Sequence, residues 1–159
     1  MDTATAKAAA KPIPEGMHSI TPMLVCANAS AAIDWYVRAL GAVELSRLPG
    51  PDGQIMHAQL RIGDSHLMLT DECPAHGAFG PGALKGSPVT LHLYVEDVDS
   101  AFARAVEAGA SVRMPVSDMF WGDRYGLLAD PFGHMWSLAT HLQDLTPDQI
   151  RANFEKMCG

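Results

Sequence analysis

Seven histidines and a few polar and aromatic neighbours are the residues in this sequence best able to do chemistry. Val89 to Val95 alternates, with Leu91, Leu93 and Val95 on one face and Thr90, His92 and Tyr94 on the other. A histidine and a tyrosine two positions apart on one strand face can serve as acid and base or hold a substrate. They can equally line a wet cavity and bond to each other or to water. Gln54 to Ile62 alternates too, placing Met56, Ala58, Leu60 and Ile62 on one side and His57, Gln59 and Arg61 on the other. His66 is in phase with Met68 on the next apolar run. His92, Tyr94 and His57 are therefore the catalytic candidates. His57, His66 and His92 together could hold a divalent metal or act as polar pocket lining. Trp121 and Arg124 could stack on a planar ligand and pair with an anionic one, or Arg124 could be held by Asp123 or Asp130.

The remaining reactive types have structural readings. Cys26 is in phase with Pro22 and Leu24 and could face a cavity, but no cation stands beside it to lower a thiol pKa, so packing is the expected role. His134 is expected to orient a turn, and His141 to be solvated. Most methionines read as core or adaptable cavity lining.

The elements that position these residues occur twice. Ile20 to Ala42 and Pro88 to Ala110 each read as a short strand, a turn, an alanine-rich helix and a Gly-Ala stop, and the stops Gly41-Ala42 and Gly109-Ala110 lie 68 positions apart. Ser30 is the expected cap of the first helix, from about Ala31 to Leu40, and Asp97 or Asp99 that of the second. Ile33, Tyr36, Val37 and Leu40 form a core stripe. Trp35 lies off it, so it should pack on the other half or on a second subunit. Val43 to Leu48 and His66 to Thr70 read as strands, Val112 to Pro115 as an extended edge, and Met135 to Ala139 as the last strand. The aromatic segment Phe120 to Gly126 reads as a loop leading into a strand near Leu127-Leu128. Thr146 and Gln149 form a capping box, with Pro147 in the first helical position.

The expected divisions are a loose tail over 1–16, a first βαβββ module over 17–72, a flexible Gly/Pro/Ala-rich linker loop over 73–87, a second module over 88–141, and a C-terminal helix and tail over 142–159. The whole is one α+β domain, with two tandem modules forming a curved mixed sheet around a cavity.

Bulk properties narrow the function. With 159 residues, 48% hydrophobic and 18% charged, the chain has the composition of a globular domain. A net charge of −7 gives no basic footprint for nucleic acid or an anionic membrane. Three scattered cysteines without CxxC spacing fit a reducing compartment, so a cytoplasmic location is expected. The stretch from Met1 to Gly16 has no apolar core and does not read as a secretory signal.

The duplicated order, together with Ala32-Ile33-Asp34-Trp35-Tyr36, Tyr94-Val95-Glu96-Asp97-Val98-Asp99 and Asp130-Pro131-Phe132-Gly133-His134, resembles the vicinal oxygen chelate superfamily. That group includes glyoxalase I, extradiol dioxygenases, fosfomycin-resistance enzymes and bleomycin-binding proteins. Pro12 to Gly16, Pro51-Asp52-Gly53, His57-Ala58, Gly122-Asp123-Arg124 and Trp136 to His141 look like its PhnB-like branch. The resemblance implies dimers, some with sites completed across the contact, and metal ligands on the first and last strands of each module. Those positions are Pro22, Met68, Thr90 and Ser137 here, none a normal ligand for a divalent metal. The branch commonly has an acidic residue where Gln59 stands.

The leading expectation is therefore a small-molecule pocket without the usual metal. It would bind or transform a hydrophobic or aromatic ligand through Thr90, His92, Tyr94, His57, Gln59, His66, Met68, Trp121, Arg124 and Ser137. The alternatives are a metal-dependent lyase, isomerase or dioxygenase using displaced histidines, and a non-catalytic structural or regulatory homodimer. No further cofactor is expected, though a divalent metal stays possible.

Overall fold

A computed structural model describes residues 8–159; the first seven positions of the expected tail lie outside them. The first module runs β1 (Met23–Cys26), α1 (Ala29–Leu40), β2 (Val43–Pro49), β3 (Ile55–Ile62) and β4 (Ser65–Asp71). A 3-10 turn at Pro74–His76 and the single-turn α2 (Pro81–Leu84) punctuate the linker. The second module runs β5 (Thr90–Tyr94), α3 (Val98–Glu107), β6 (Ser111–Asp118), β7 (Asp123–Ala129) and β8 (Met135–His141), and α4 (Pro147–Cys158) follows.

Each module builds its own four-stranded mixed sheet, in the orders β1-β4-β3-β2 and β5-β8-β7-β6. β1 lies parallel to β4 and β5 parallel to β8, while the other pairs are antiparallel. Hydrogen bonding stops at each module's boundary, so the sheets are two rather than one.

Local chemistry accounts for most element ends. Gly41 closes α1 in the left-handed region at φ 67°, which its missing Cβ permits. Asp97 caps α3 by accepting from the Ser100 N–H, and the Thr146–Gln149 capping box opens α4 as read. The α1 cap differs from expectation. The helix begins at Ala29, Asn28 accepts from the Ala31 N–H at 3.0 Å, and Ser30 instead accepts from the Arg47 guanidinium. β7 starts at Asp123, so Arg124, Tyr125 and Gly126 are strand residues rather than loop. In β3 a register shift opposite Leu48 and Pro49 brings Ile55 into the core and leaves Met56 exposed, contrary to the simple alternation.

One core joins the modules through their helices. Ala29, Ala32, Ile33, Tyr36 and Ala39 of α1 are fully buried. Trp35 settles on the second module, its indole N–H donating to the Ala108 carbonyl at 2.9 Å. Arg104 of α3 returns a bond to the Ala39 carbonyl at 3.0 Å. The Tyr36 ring lies 5.5 Å from that of Trp136 on β8. Each sheet therefore has a face turned to the helices and an opposite, open face.

Candidate functional site

Strand alternation decides which residues reach the open faces. On β5, Leu91 and Leu93 turn to the core, while Thr90, His92 and Tyr94 stand exposed, as read from the sequence. Ser137 of β8 lies in register with His92, and its hydroxyl is 2.7 Å from His92 Nδ1. His92 meets the edge of Tyr94 at 4.6 Å and stacks on Tyr125 at 6.0 Å and 20°. Tyr125 abuts Trp121 at 5.3 Å, Trp121 abuts Phe120 at 5.0 Å, and Phe120 reaches Phe154 of α4 at 5.2 Å. An unbroken aromatic row thus runs from His92 to the C-terminal helix.

Beneath the row lies Asp123, only 3% exposed. Its carboxylate accepts from the Tyr94 hydroxyl (3.3 Å), the Trp121 indole N–H (3.0 Å) and His141 Nδ1 (2.6 Å). His141 Nε2 reaches Asp144 at 2.8 Å. An imidazole between two carboxylates donates from both nitrogens, so the bonds to Asp123 and then Asp144 raise the His141 pKa. Partial desolvation first, then the Asp123 charge and hydrogen bond, raise that of Tyr94. His141 is exposed, as the sequence suggested, but its ring is held between the two carboxylates.

Arg124 departs from the expected wall. Asp123 and Tyr125 occupy the open face of β7, so Arg124 between them turns to the opposite side. There it forks onto Asp99 (2.8 and 2.9 Å) and bonds Asp118 (2.9 Å), not Asp123 or Asp130. These bonds raise its pKa and lower that of Asp99. Arg124 fixes the start of α3 and does not share a face with Trp121.

The open face of the first sheet carries a second, softer cluster. Met23 pairs with Met68, and Gln59 lies opposite Met68 on the other side. The Gln59 amide meets His66 Nδ1 at 2.8 Å and donates to the Met17 thioether at 3.0 Å. His57 sits in register with Leu48, which is 61% exposed. Pro22 was read as the ligand position of β1, but the phase runs the other way. Leu24 and Cys26 are buried toward the helices, so Met23, one residue on, takes the open face. Cys26 is fully buried, and burial, with Asp130, Asp71 and Glu72 nearby, pushes its thiol up to about 12. His134 joins its turn only through its backbone N–H, which donates to Asp130 at 3.0 Å, while its ring bonds the Val25 carbonyl of the first module at 2.9 Å.

His66 and His92 meet in one cavity of about 290 Å³, whose walls also include His18, Ile20, Pro22 and Trp136; His57 is not part of it. Among the described residues, no three or more His, Cys, Asp or Glu side chains are arranged to hold a metal ion. On the open faces Met23 lies in register with Met68 and His92 with Ser137, and one imidazole among thioethers and a hydroxyl is a poor set for a divalent metal. Among the described residues no helix is long and apolar enough to cross a membrane.

Sequence reasoning missed Asp123, Tyr125 and His141. A signal existed for each: Tyr125 keeps the parity of Asp123 on β7, and His141 keeps that of Ser137 on β8. The strand start at Asp123 had to be known before that parity could be used.

A family model described as the Glyoxalase/Bleomycin resistance protein/Dioxygenase superfamily matches residues 16–138. An uncharacterized protein of Mycobacterium bovis is 49% identical over 137 residues, covering 84% of this chain and 90% of its own. Among solved structures, TioX from Micromonospora sp. ML1 aligns with a TM-score of 0.62 and 32% identity, covering 79% of this chain and all of TioX (100%). A PhnB protein from Bacillus cereus shares the fold at a TM-score of 0.62 and 19% identity, covering 77% of this chain and 99% of its own.

Proposed function

The chain belongs to the glyoxalase/bleomycin resistance/dioxygenase superfamily, and from that premise we propose that it is a small-molecule-binding member that works without the usual divalent metal. The ligand is hydrophobic or aromatic and lies on the row His92, Tyr125, Trp121 and Phe120. The observation that carries this reading is the buried Asp123. It accepts from Tyr94, Trp121 and His141 at once and so locks the polar edges of two aromatic side chains in place. Such preorganisation favours stacking on a planar ligand, because little side-chain entropy remains to be lost. Tyr94, whose single hydroxyl proton goes to Asp123, offers its oxygen to the ligand as a fixed acceptor. His92, with Nδ1 engaged by Ser137, keeps Nε2 for the ligand.

One chain leaves Tyr94 61% exposed and Leu48 61% exposed on their respective open faces. A drug-sized ligand is normally enclosed over most of its surface. We therefore propose a homodimer in which the Met17, Met23, Met68 and Gln59 face of one copy closes over the aromatic face of the other. The soft thioethers suit an apolar, adaptable wall.

A thermal-shift screen of planar aromatic compounds, followed by calorimetric titration, tests the reading. Binding by the wild type that falls at least tenfold in Trp121→Ala supports it. Stoichiometric nickel, zinc or iron(II) binding that disappears in His92→Ala would overturn the metal-free reading in favour of a metal-dependent enzyme.

A further inference from the structure

A second cavity, of about 760 Å³, lies where the linker meets the turn before β8. It is lined by Pro81, Gly82 and Lys85 to Ser87 of the linker, by Pro131 to Gly133 and Met135, and by Arg113 of β6. Packing here is close, since a Cβ on Gly133 would stand 2.8 Å from that of Pro81. The linker and the second module's turn thus pack closely at Pro81 and Gly133.

Its charge is distinctive. Lys85 and Arg113 both line it, and neither makes a salt bridge with any described residue. Arg38, Arg61, Arg104 and Lys156 are likewise without a salt bridge, so what sets this pair apart is that both line one cavity. No lining residue is acidic. The nearby Glu72 is engaged by the Gly80 N–H at 2.9 Å and is not part of the wall. In a chain of net charge −7, two unpaired cations in one acid-free cavity need an account.

Each cation is also set by a backbone irregularity. Lys85 is the one non-glycine residue with positive φ among the described residues, at 60°, a conformation that costs a side chain with a Cβ. Arg113 sits in a register break of β6, between Val112 and Met114, which pair with the consecutive Leu128 and Leu127. A bulge of this kind re-aims a side chain. Lys85 takes this conformation as the C-cap of α2, and both it and Arg113 line the same cavity. The remaining lining is apolar (Pro131, Phe132, Met135) or glycine, with the Ser87 hydroxyl at the edge. Gly82 and Gly86 have open space where a Cβ would go, leaving their backbone accessible to a ligand.

We propose that this cavity is a second ligand site, for a small anion with an apolar body: a phosphate monoester or carboxylate whose charge lies between Lys85 and Arg113 and whose body rests on Phe132 and Pro131. The cavity volume falls in the range of small-molecule sites. Because it shares no residue with the aromatic face, the two sites are separable by mutation.

The experiment titrates the full-length protein at low salt with phenyl phosphate, benzoate and inorganic phosphate, read by calorimetry and thermal shift. Phenyl phosphate is expected to bind at least fivefold more tightly than inorganic phosphate and to raise the melting temperature. Lys85→Asn with Arg113→Gln should weaken it at least tenfold. Asn tolerates the left-handed backbone, so the fold is retained, and Arg113→Gln alone should already weaken binding severalfold. His92→Ala should leave this binding unchanged, separating it from the aromatic-face reading. Absence of binding by all three anions, or equal binding by the double variant, would overturn the proposal. So would a double variant whose native mass falls to that of a monomer without any anion binding in the wild type, since the cations would then serve a subunit contact.

Discussion

The Tyr36 hydroxyl donates to the Asp130 carboxylate at 2.5 Å across 94 positions of sequence, tying the first module's helix to the second module's turn. Asp130 is 4% exposed and also accepts from the Trp136 indole and the backbone N–H groups of Phe132 and His134. Tyr36→Phe removes one of four donors from a buried carboxylate. A loss of about 1–3 kcal/mol is expected in urea unfolding, from desolvation left uncompensated. Burial, reinforced by Asp130, holds the Tyr36 pKa well above normal, so this link persists through alkaline pH.

His141 should titrate above its ordinary value because its bonds to Asp123 and Asp144 favour the charged ring. A raised folded pKa means the pair's contribution to stability is fully present below about pH 6.5. It is lost as pH rises through the folded value. NMR titration of the imidazole checks the direction, and Asp123→Asn should return His141 toward its ordinary value.

Cys26 should be inert. Its thiol is buried and raised to about 12, whereas Cys73 is partly and Cys158 fully accessible. A native thiol count with an alkylating reagent, read by mass spectrometry, should label Cys73 and Cys158 and reach Cys26 only after denaturation.

Gly126→Ala should destabilise the second module. A Cβ there would lie 2.7 Å from the Phe102 ring and 2.9 Å from Val116. Overpacking of this kind costs about 1–3 kcal/mol, and the lowered urea midpoint should leave the unfolding slope unchanged.

Trp121→Ala should lower the affinity of planar ligands at least tenfold, whereas Arg124→Gln should leave it within about twofold and lower stability instead. The guanidinium holds Asp99 and Asp118 on the opposite side of the sheet. Calorimetry on both variants separates a stacking wall from a structural clamp.

The sequence by itself determined the duplicated modules, the helix stops at Gly41 and Gly109, the capping box at Thr146 and the shared face of Thr90, His92 and Tyr94. These depend on local backbone preference and on the two-residue period of a strand, which are legible along the chain. Other assignments needed the fold. A one-residue error of phase exchanged Pro22 for Met23, and reading β7 four residues late placed Arg124 beside Trp121. In a strand every such slip moves a side chain to the other face. Only the tertiary structure brought Asp123 under Tyr94, Trp121 and His141, and Lys85 to the same cavity as Arg113. Those groups lie on different strands or on a linker, and their meeting follows from sheet register and packing, which no local pattern encodes.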